Sequence, residues 1–167
     1  FNSVDMGSFS NIGILVFMIL MWIGGASQST AGGIKVNTIA VAWANFMSVI
    51  RERKSVVVLK REVSQESVQR ATATVFASIL VILLAFIILL ATEPGLTPKQ
   101  LLFEVVSAVG TVGSSLNATA YLTTAGKIIV SLLMFVGRVG LIVVAMSFVK
   151  KKGQERFSYL KDNVIIN

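Results

Sequence analysis

The sequence predicts an all-α membrane protein. Of its 167 residues, 54% are hydrophobic and 14% are charged, with a mean hydropathy of +0.81, whereas a soluble domain carries about 25% charged residues. Two stretches of 22 residues, 71–92 and 128–149, contain no charge and one charge respectively, and about 20 apolar residues let a helix cross a bilayer. The net charge of +7 comes from basic residues at the ends of apolar runs. This placement favours a lipid bilayer as partner and argues against nucleic acid.

The residue types that are missing exclude most enzyme classes. The chain has no histidine and no cysteine, which removes the commonest general base, the usual zinc ligands and most nucleophilic triads. We therefore predict no enzyme activity, no cofactor and no metal site beyond a transported ion. An intramembrane hydrolase with Ser27 or Ser29 as nucleophile stays an alternative, although only Lys35 lies nearby as a base.

The first apolar stretch, residues 6–50, is too long for one span. Its only charge is Lys35, and as a single helix it would measure roughly 67 Å against a hydrocarbon core of about 30 Å. The segment GGASQSTAGG at 24–33 supplies four glycines and four polar side chains, and each glycine costs a helix interior about 1 kcal/mol. We predict an unwound intramembrane loop at 24–33, whose polar groups need protein or water around them.

The basic residues orient the spans. The linker 51–70 and the tail 150–167 together hold eleven of the fifteen Lys and Arg residues, which predicts that both are cytoplasmic. The spans 71–92 and 128–149 then place residues 93–127 outside. The chain begins with Phe1 and no basic residue precedes the first apolar run, so we expect the chain to be part of a longer protein.

The outer segment contains a short apolar helix. Thr97 and Pro98 suit an N-cap and a first helical position, and residues 101–112 are apolar apart from Glu104, Ser107 and Thr111. Twelve residues cannot cross a bilayer, so we predict a re-entrant helix at 98–109 followed by an extended stretch at 110–115. Its partially negative C-terminal end would point toward residues 111–113.

The chain also repeats itself at an offset of 113 residues. This register places Gly13 on Gly126 and the string MWIG at 21–24 on MFVG at 134–137. Internal repeats of this kind are common in transport proteins. The repeating unit is a span, a re-entrant segment and a second span, and by this register we expect a glycine in a further extended stretch directly before Phe1.

Three strings carry a resemblance to a known family: GGASQSTAGGIK at 24–35, SAVGTVGSS at 107–115 and MFVGRVG at 134–140. They resemble the Trk/Ktr/HKT superfamily of potassium transporters, in particular the membrane subunit of bacterial Ktr systems. The resemblance implies a potassium-channel-like architecture, with span, pore helix and span repeated around one pore. About one and a half repeats are then present. Residues 1–50 end the third filter segment and form the second helix of the third repeat, and 71–149 form the complete fourth repeat.

The resemblance also implies site residues. Thr111, Val112 and Gly113 would form a filter segment whose backbone carbonyls replace the hydration shell of potassium; the alternative is a tight bend in a membrane hairpin. The loop 24–33 would be a gate beneath the filter, with a helix-packing hinge or a nucleotide-phosphate loop as alternatives. Its candidate residues are Gly24, Gly25, Ser27, Gln28, Ser29, Thr30, Gly32 and Gly33.

Arg138 joins these gate residues on other grounds. It is the only charge in 128–149 and lies near its middle, and a charged residue at that depth is functional by default and faces the bundle interior. The register pairs it with Gly25, so we expect its guanidinium to donate hydrogen bonds to carbonyls of the loop. The alternative is a purely structural role in hydrogen bonding.

By the same resemblance, the function is potassium uptake across the bacterial inner membrane, with sodium as a possible activator. The expected partners are a second copy of the subunit and a cytoplasmic ring of nucleotide-binding regulatory proteins. A non-conducting scaffold or assembly subunit of a transport complex is the alternative.

Overall fold

The computed structural model describes residues 6–26, 28–52, 55–58 and 61–140. Helices dominate this part of the chain, as the all-α prediction expects, and the remaining regular structure is one pair of two-residue strands. After a 3-10 turn at Met6–Ser8, the elements are α1 (Asn11–Trp22), α2 (Val36–Ile50), β1 (Val57–Val58), β2 (Arg61–Glu62), α3 (Gln65–Thr92), α4 (Pro98–Gly110) and α5 (Thr124–Val139). The strands pair antiparallel, Val57 with Glu62 and Val58 with Arg61.

Hydroxyl side chains set where four of the helices begin. Ser10, Ser64, Thr97 and Thr123 each accept a hydrogen bond from the backbone N–H three residues later, which satisfies one of the donors that a helix start leaves unpaired. Ser10 accepts from Gly13 and Thr123 from Gly126. The two caps are related by the 113-residue register found in the sequence, so α1 and α5 begin at equivalent positions.

The buried helix α4 lies at the centre of the molecule, between α1, α3 and α5. One side of α4 packs with α3 and α5, and its other side packs with α1, where the rings of Phe17 and Phe103 stack at 6.1 Å. The first cluster contains Ala85, Leu89, Leu101, Val105, Ala108, Val109, Leu122, Val130 and Leu133, and the second contains Ile14, Met21, Phe103, Val106 and Leu116. The helix is thereby fixed from several directions, together with the turn at its C-terminal end.

Helix α3 is the longest element. Its 28 residues measure about 42 Å, and among the described helices it is the one long and apolar enough to cross a membrane. It starts at Gln65, six residues before the predicted span at 71–92, because Ser64 caps it. Helix α2 packs along it, and the indole Nε1 of Trp22 donates to Ser78 Oγ at 3.2 Å, which ties the end of α1 to α3.

Helix α5 differs from the predicted span at 128–149. It begins at Thr124, four residues early, and ends at Val139, where Gly140 takes a φ of 99°. A right-handed α-helix requires negative φ, so the regular helix stops at Val139. Residues 141–149 and the tail 150–167 lie outside the described residues.

The described residues between Trp22 and Val36 are not helical, and this break contains the predicted loop 24–33. The two ends of the break lie side by side: Ile23 and Ile34 form a parallel bridge, and Gly24 N donates to Ile34 O at 2.7 Å. Val36 N donates to Gly25 O at 3.3 Å. The segment is therefore a closed loop whose base joins the end of α1 to the start of α2.

Candidate functional site

Helix α4 ends in a turn formed by Thr111 and Val112. Thr111 adopts the left-handed conformation, with φ 52° and ψ 35°, and its N–H and that of Val112 return to the carbonyls of Ala108 and Ser107, each at 3.0 Å. Gly113 follows with a φ of 80°, a conformation that glycine adopts at no steric cost. Residues 111–113 thus form a turn that leaves the side chain of Val112 44% exposed.

The buried helix gives this turn an electrostatic preference. Residues 103–110 of α4 are all buried, and the C-terminal end of a helix carries a partial negative charge from its unpaired carbonyls. A low-dielectric surrounding weakens that field less than water does. The turn is therefore placed where a cation is favoured over an anion.

The loop 24–33 touches this turn directly. Gly32 N donates to Thr111 Oγ1 at 2.8 Å, and a Cβ on Gly32 would lie 2.5 Å from both Oγ1 and Cγ2 of Thr111. Gly33, with a φ of 73°, leaves only 3.3 Å between its Cβ position and the Cα of Gly110. The structure thus brings two predicted site segments together, and glycine permits their close approach.

The other loop residues hold the loop in its own shape. Ser29 N donates to Ala26 O at 2.8 Å, and its side chain accepts from Ala31 N at 3.1 Å. A Cβ at Gly25 would meet that same hydroxyl at 2.9 Å, and Gly24 packs against the carbonyl of Gly32. Gln28 is exposed, while Ser27 lies outside the described residues.

Two cationic side chains bind the carbonyls of the loop. Arg138 Nη1 donates to the carbonyl of Thr30, the kind of contact that we expected from the shared depth of the two elements. Lys35 Nζ donates to the carbonyls of Ser29, at 3.0 Å, and Ala31. Sequence reasoning considered Lys35 only as a base for a hydrolase. Its one usable signal was its isolation in 45 otherwise uncharged residues.

Two buried acids, one on α4 and one at the end of α3, were not predicted as site residues. Glu104, on α4, accepts hydrogen bonds from the hydroxyls of Ser115 and Thr119. Glu93, at the end of α3, accepts from the backbone N–H of Thr123 at 3.1 Å and from its hydroxyl, so it holds the start of α5. In the sequence Glu104 stands alone between Phe103 and Val105, and Glu93 directly follows the uncharged stretch 71–92; this isolation was the available signal.

Comparison with known proteins identifies a family and several relatives. The family model TrkH, described as a cation transport protein, matches residues 1–160. The chain is 38% identical over 150 residues to the Ktr system potassium uptake protein B of Bacillus subtilis, covering 90% of this chain and 34% of that protein. It is 39% identical over 145 residues to the protein of the same name from Vibrio alginolyticus, covering 87% and 32%. The potassium/sodium uptake protein NtpJ of Enterococcus hirae is 31% identical over 173 residues, covering 99% and 38%.

The chain belongs to the TrkH family of cation transport proteins. The resemblance to the membrane subunit of Ktr systems is confirmed, and so is the prediction that the chain is not an enzyme, because the family and these relatives are transport proteins. Proteins of this family lie in membranes, and α3 supplies one candidate span. The chain spans about a third of the length of the curated relatives that it matches.

Proposed function

We propose that this chain lines part of a pore for potassium uptake, with Thr111, Val112 and Gly113 as one filter segment. The observation that carries the proposal is the left-handed, glycine-containing turn at the C-terminal end of the buried helix α4. Potassium is the ion because the relatives are named as potassium uptake proteins. Sodium acts as an activator in this proposal, and the relative NtpJ is named for the uptake of sodium as well as potassium.

The loop 24–33 is the gate in this proposal, with Arg138 as the residue that holds it. The contact between Gly32 and Thr111 supports a loop that lies against the filter, and the bond from Arg138 to Thr30 supports a loop held in place. A fixed positive charge near the ion path also repels cations. Loop and arginine together keep the path closed until the loop moves.

The surroundings follow from the same proposal. The fourth repeat, residues 71–149, contributes a span, the pore helix α4, the filter and a second span, and residues 1–50 complete the third repeat. The protein lies in the bacterial inner membrane, with the linker 51–70 and the tail 150–167 in the cytoplasm. Two copies of the subunit and a cytoplasmic nucleotide-binding ring form the working assembly, and the names of the relatives as proteins of a Ktr system support the existence of partners.

Substitution at Gly113 tests the filter. Gly113→Ser in the full-length protein forces a side chain onto a φ of 80° and displaces the neighbouring carbonyls, so uptake into liposomes should lose discrimination between potassium and sodium. Gly95→Ser is the matched control, because a Cβ there meets no atom within 4 Å. Unchanged discrimination in Gly113→Ser would remove it from the filter. A full-length wild-type protein without potassium flux would favour the alternative function, a non-conducting scaffold or assembly subunit of a transport complex.

A further inference from the structure

We propose that Glu104 is a positioning residue for the filter: its carboxylate clamps the chain that leaves the filter back onto the pore helix. The proposal rests on the filter function proposed above for residues 111–113. It concerns a residue that lies seven positions before Thr111, on the buried face of α4, and that is only 4% exposed. Its neighbours on the helix, Phe103 and Val105, are fully buried.

A buried carboxylate needs hydrogen-bond donors, because losing water without replacement costs several kcal/mol, of order 2–7 even for a neutral polar group. An ionised carboxylate only accepts, and both of its side-chain donors come from one segment. Thr119 Oγ1 donates to Glu104 Oε1 at 2.6 Å, and Ser115 Oγ donates to the same oxygen. Both donors follow the filter in the chain.

The two hydroxyls also organise their own segment. Ser115 Oγ accepts from Ala118 N at 3.2 Å and from Thr119 N at 3.5 Å, which winds residues 115–119 into a turn. Ala118 inside this turn is fully buried, and Gln100 Nε2 adds a second tie from α4 to Leu116 O at 3.3 Å. The turn therefore moves with α4 as one unit.

This arrangement fixes the filter at both ends. Its first residue continues from Gly110, the last residue of α4, and Ser115, two residues after Gly113, is held by Glu104. The carbonyls between these points have little freedom left, and an ion site needs its ligands held close to one geometry.

The test measures potassium and sodium uptake by the full-length protein with substitutions in this network. Glu104→Leu removes the oxygen that accepts both bonds and should lower the potassium-to-sodium uptake ratio by at least about tenfold, the factor that loss of even one hydrogen bond to a charged group produces. Glu104→Gln keeps an oxygen that accepts from the hydroxyls and should retain most of the ratio. Glu66→Leu and Glu66→Gln are the matched controls, because Glu66 forms an exposed pair with Arg70; they should leave the ratio unchanged.

Two further variants decide the matter if Glu104→Leu does not reach the membrane. Ser115→Ala and Thr119→Val each remove one hydroxyl donor to Glu104 and introduce no charged group. Each should lower the potassium-to-sodium uptake ratio by a smaller factor than Glu104→Leu does. Added to a folded Glu104→Leu, Thr119→Val should change nothing more, because the bond from its hydroxyl to Glu104 is already gone. Wild-type ratios in Ser115→Ala and Thr119→Val, or a Glu104→Gln ratio as low as that of Glu104→Leu, would overturn the proposal.

Gly113→Ser is measured in parallel and separates this inference from the function on which it rests. If Gly113→Ser lowers the ratio and the Glu104 network does not, the filter stands and the clamp is rejected. If Gly113→Ser leaves the ratio unchanged, the filter assignment and the clamp both fall.

Discussion

Arg138 binds a backbone carbonyl of the loop 24–33. Its hold on the loop therefore depends on the charge and length of the arginine side chain and not on the side chains of the loop. Its guanidinium donates to the carbonyl of Thr30, and an unwound loop offers such carbonyls because no helical N–H occupies them. Arg138→Ala removes both the bond and the positive charge. We expect potassium flux per unit of membrane protein to rise by roughly tenfold, near the lower end of the range for one hydrogen bond to a charged group, about 1.5 kcal/mol.

Arg70→Ala is the control for Arg138→Ala, because it removes an arginine from an exposed pair with Glu66 and should leave flux unchanged. Deletion of residues 27–30 should also raise flux. The two changes combined should give less than the sum of their separate effects, since both remove one obstruction. Lower or unchanged flux in a folded Arg138→Ala, or simple additivity, would leave Arg138 with a structural role only.

At the level of the helices, α4 and α5 lie in close contact with each other at Gly137, which is buried against the backbone of Val109. A methyl group there meets the carbonyl of Val109, which cannot rotate away as a side chain can, so the helices must separate. Gly137→Ala should cost about 1–3 kcal/mol of stability, the range for overpacking. The measurement is the Tm of the purified full-length protein, with Gly95→Ala as the control that adds a methyl group in open space. An equal Tm in both variants would show that α5 adjusts freely.

Local sequence patterns predicted the elements better than their ends. The glycines and polar residues at 24–33 marked a break that the structure places between Trp22 and Val36, because glycine weakens a helix wherever it stands. The end of α5 was missed, since Gly140 lies within a long apolar run and hydropathy does not register backbone angles. Its φ of 99° depends on the packing around it.

Contacts between distant parts of the chain were predicted only where the internal repeat placed two segments at the same depth in the membrane. The register paired Arg138 with Gly25 and so led to the expected contact with the loop, across 108 residues. Nothing local links Gly32 to Thr111, 79 residues apart, or identifies Ser115 and Thr119 as the partners of Glu104. An acid in an apolar helix shows that partners exist, but the fold decides which donors arrive.

For the whole molecule, the orientation in the membrane is open to direct measurement, because α3 separates two accessible positions. Gln65 is exposed at its first residue, and Tyr121 is 75% exposed near its other end, where Glu93 binds Thr123. The 28 residues of α3 put about 42 Å between those ends. The positive-inside rule places Gln65 in the cytoplasm and Tyr121 outside.

Single cysteines test this orientation, since these 167 residues contain none of their own. In a full-length protein whose other cysteines have been replaced, a membrane-impermeant thiol reagent should label Tyr121→Cys in intact cells. It should label Gln65→Cys only after the membrane is permeabilised, because the bilayer lies between the reagent and that thiol. Retained potassium uptake in both variants shows that neither change disturbs the fold. Labelling of Gln65→Cys in intact cells would place the basic linker outside and reverse the predicted orientation.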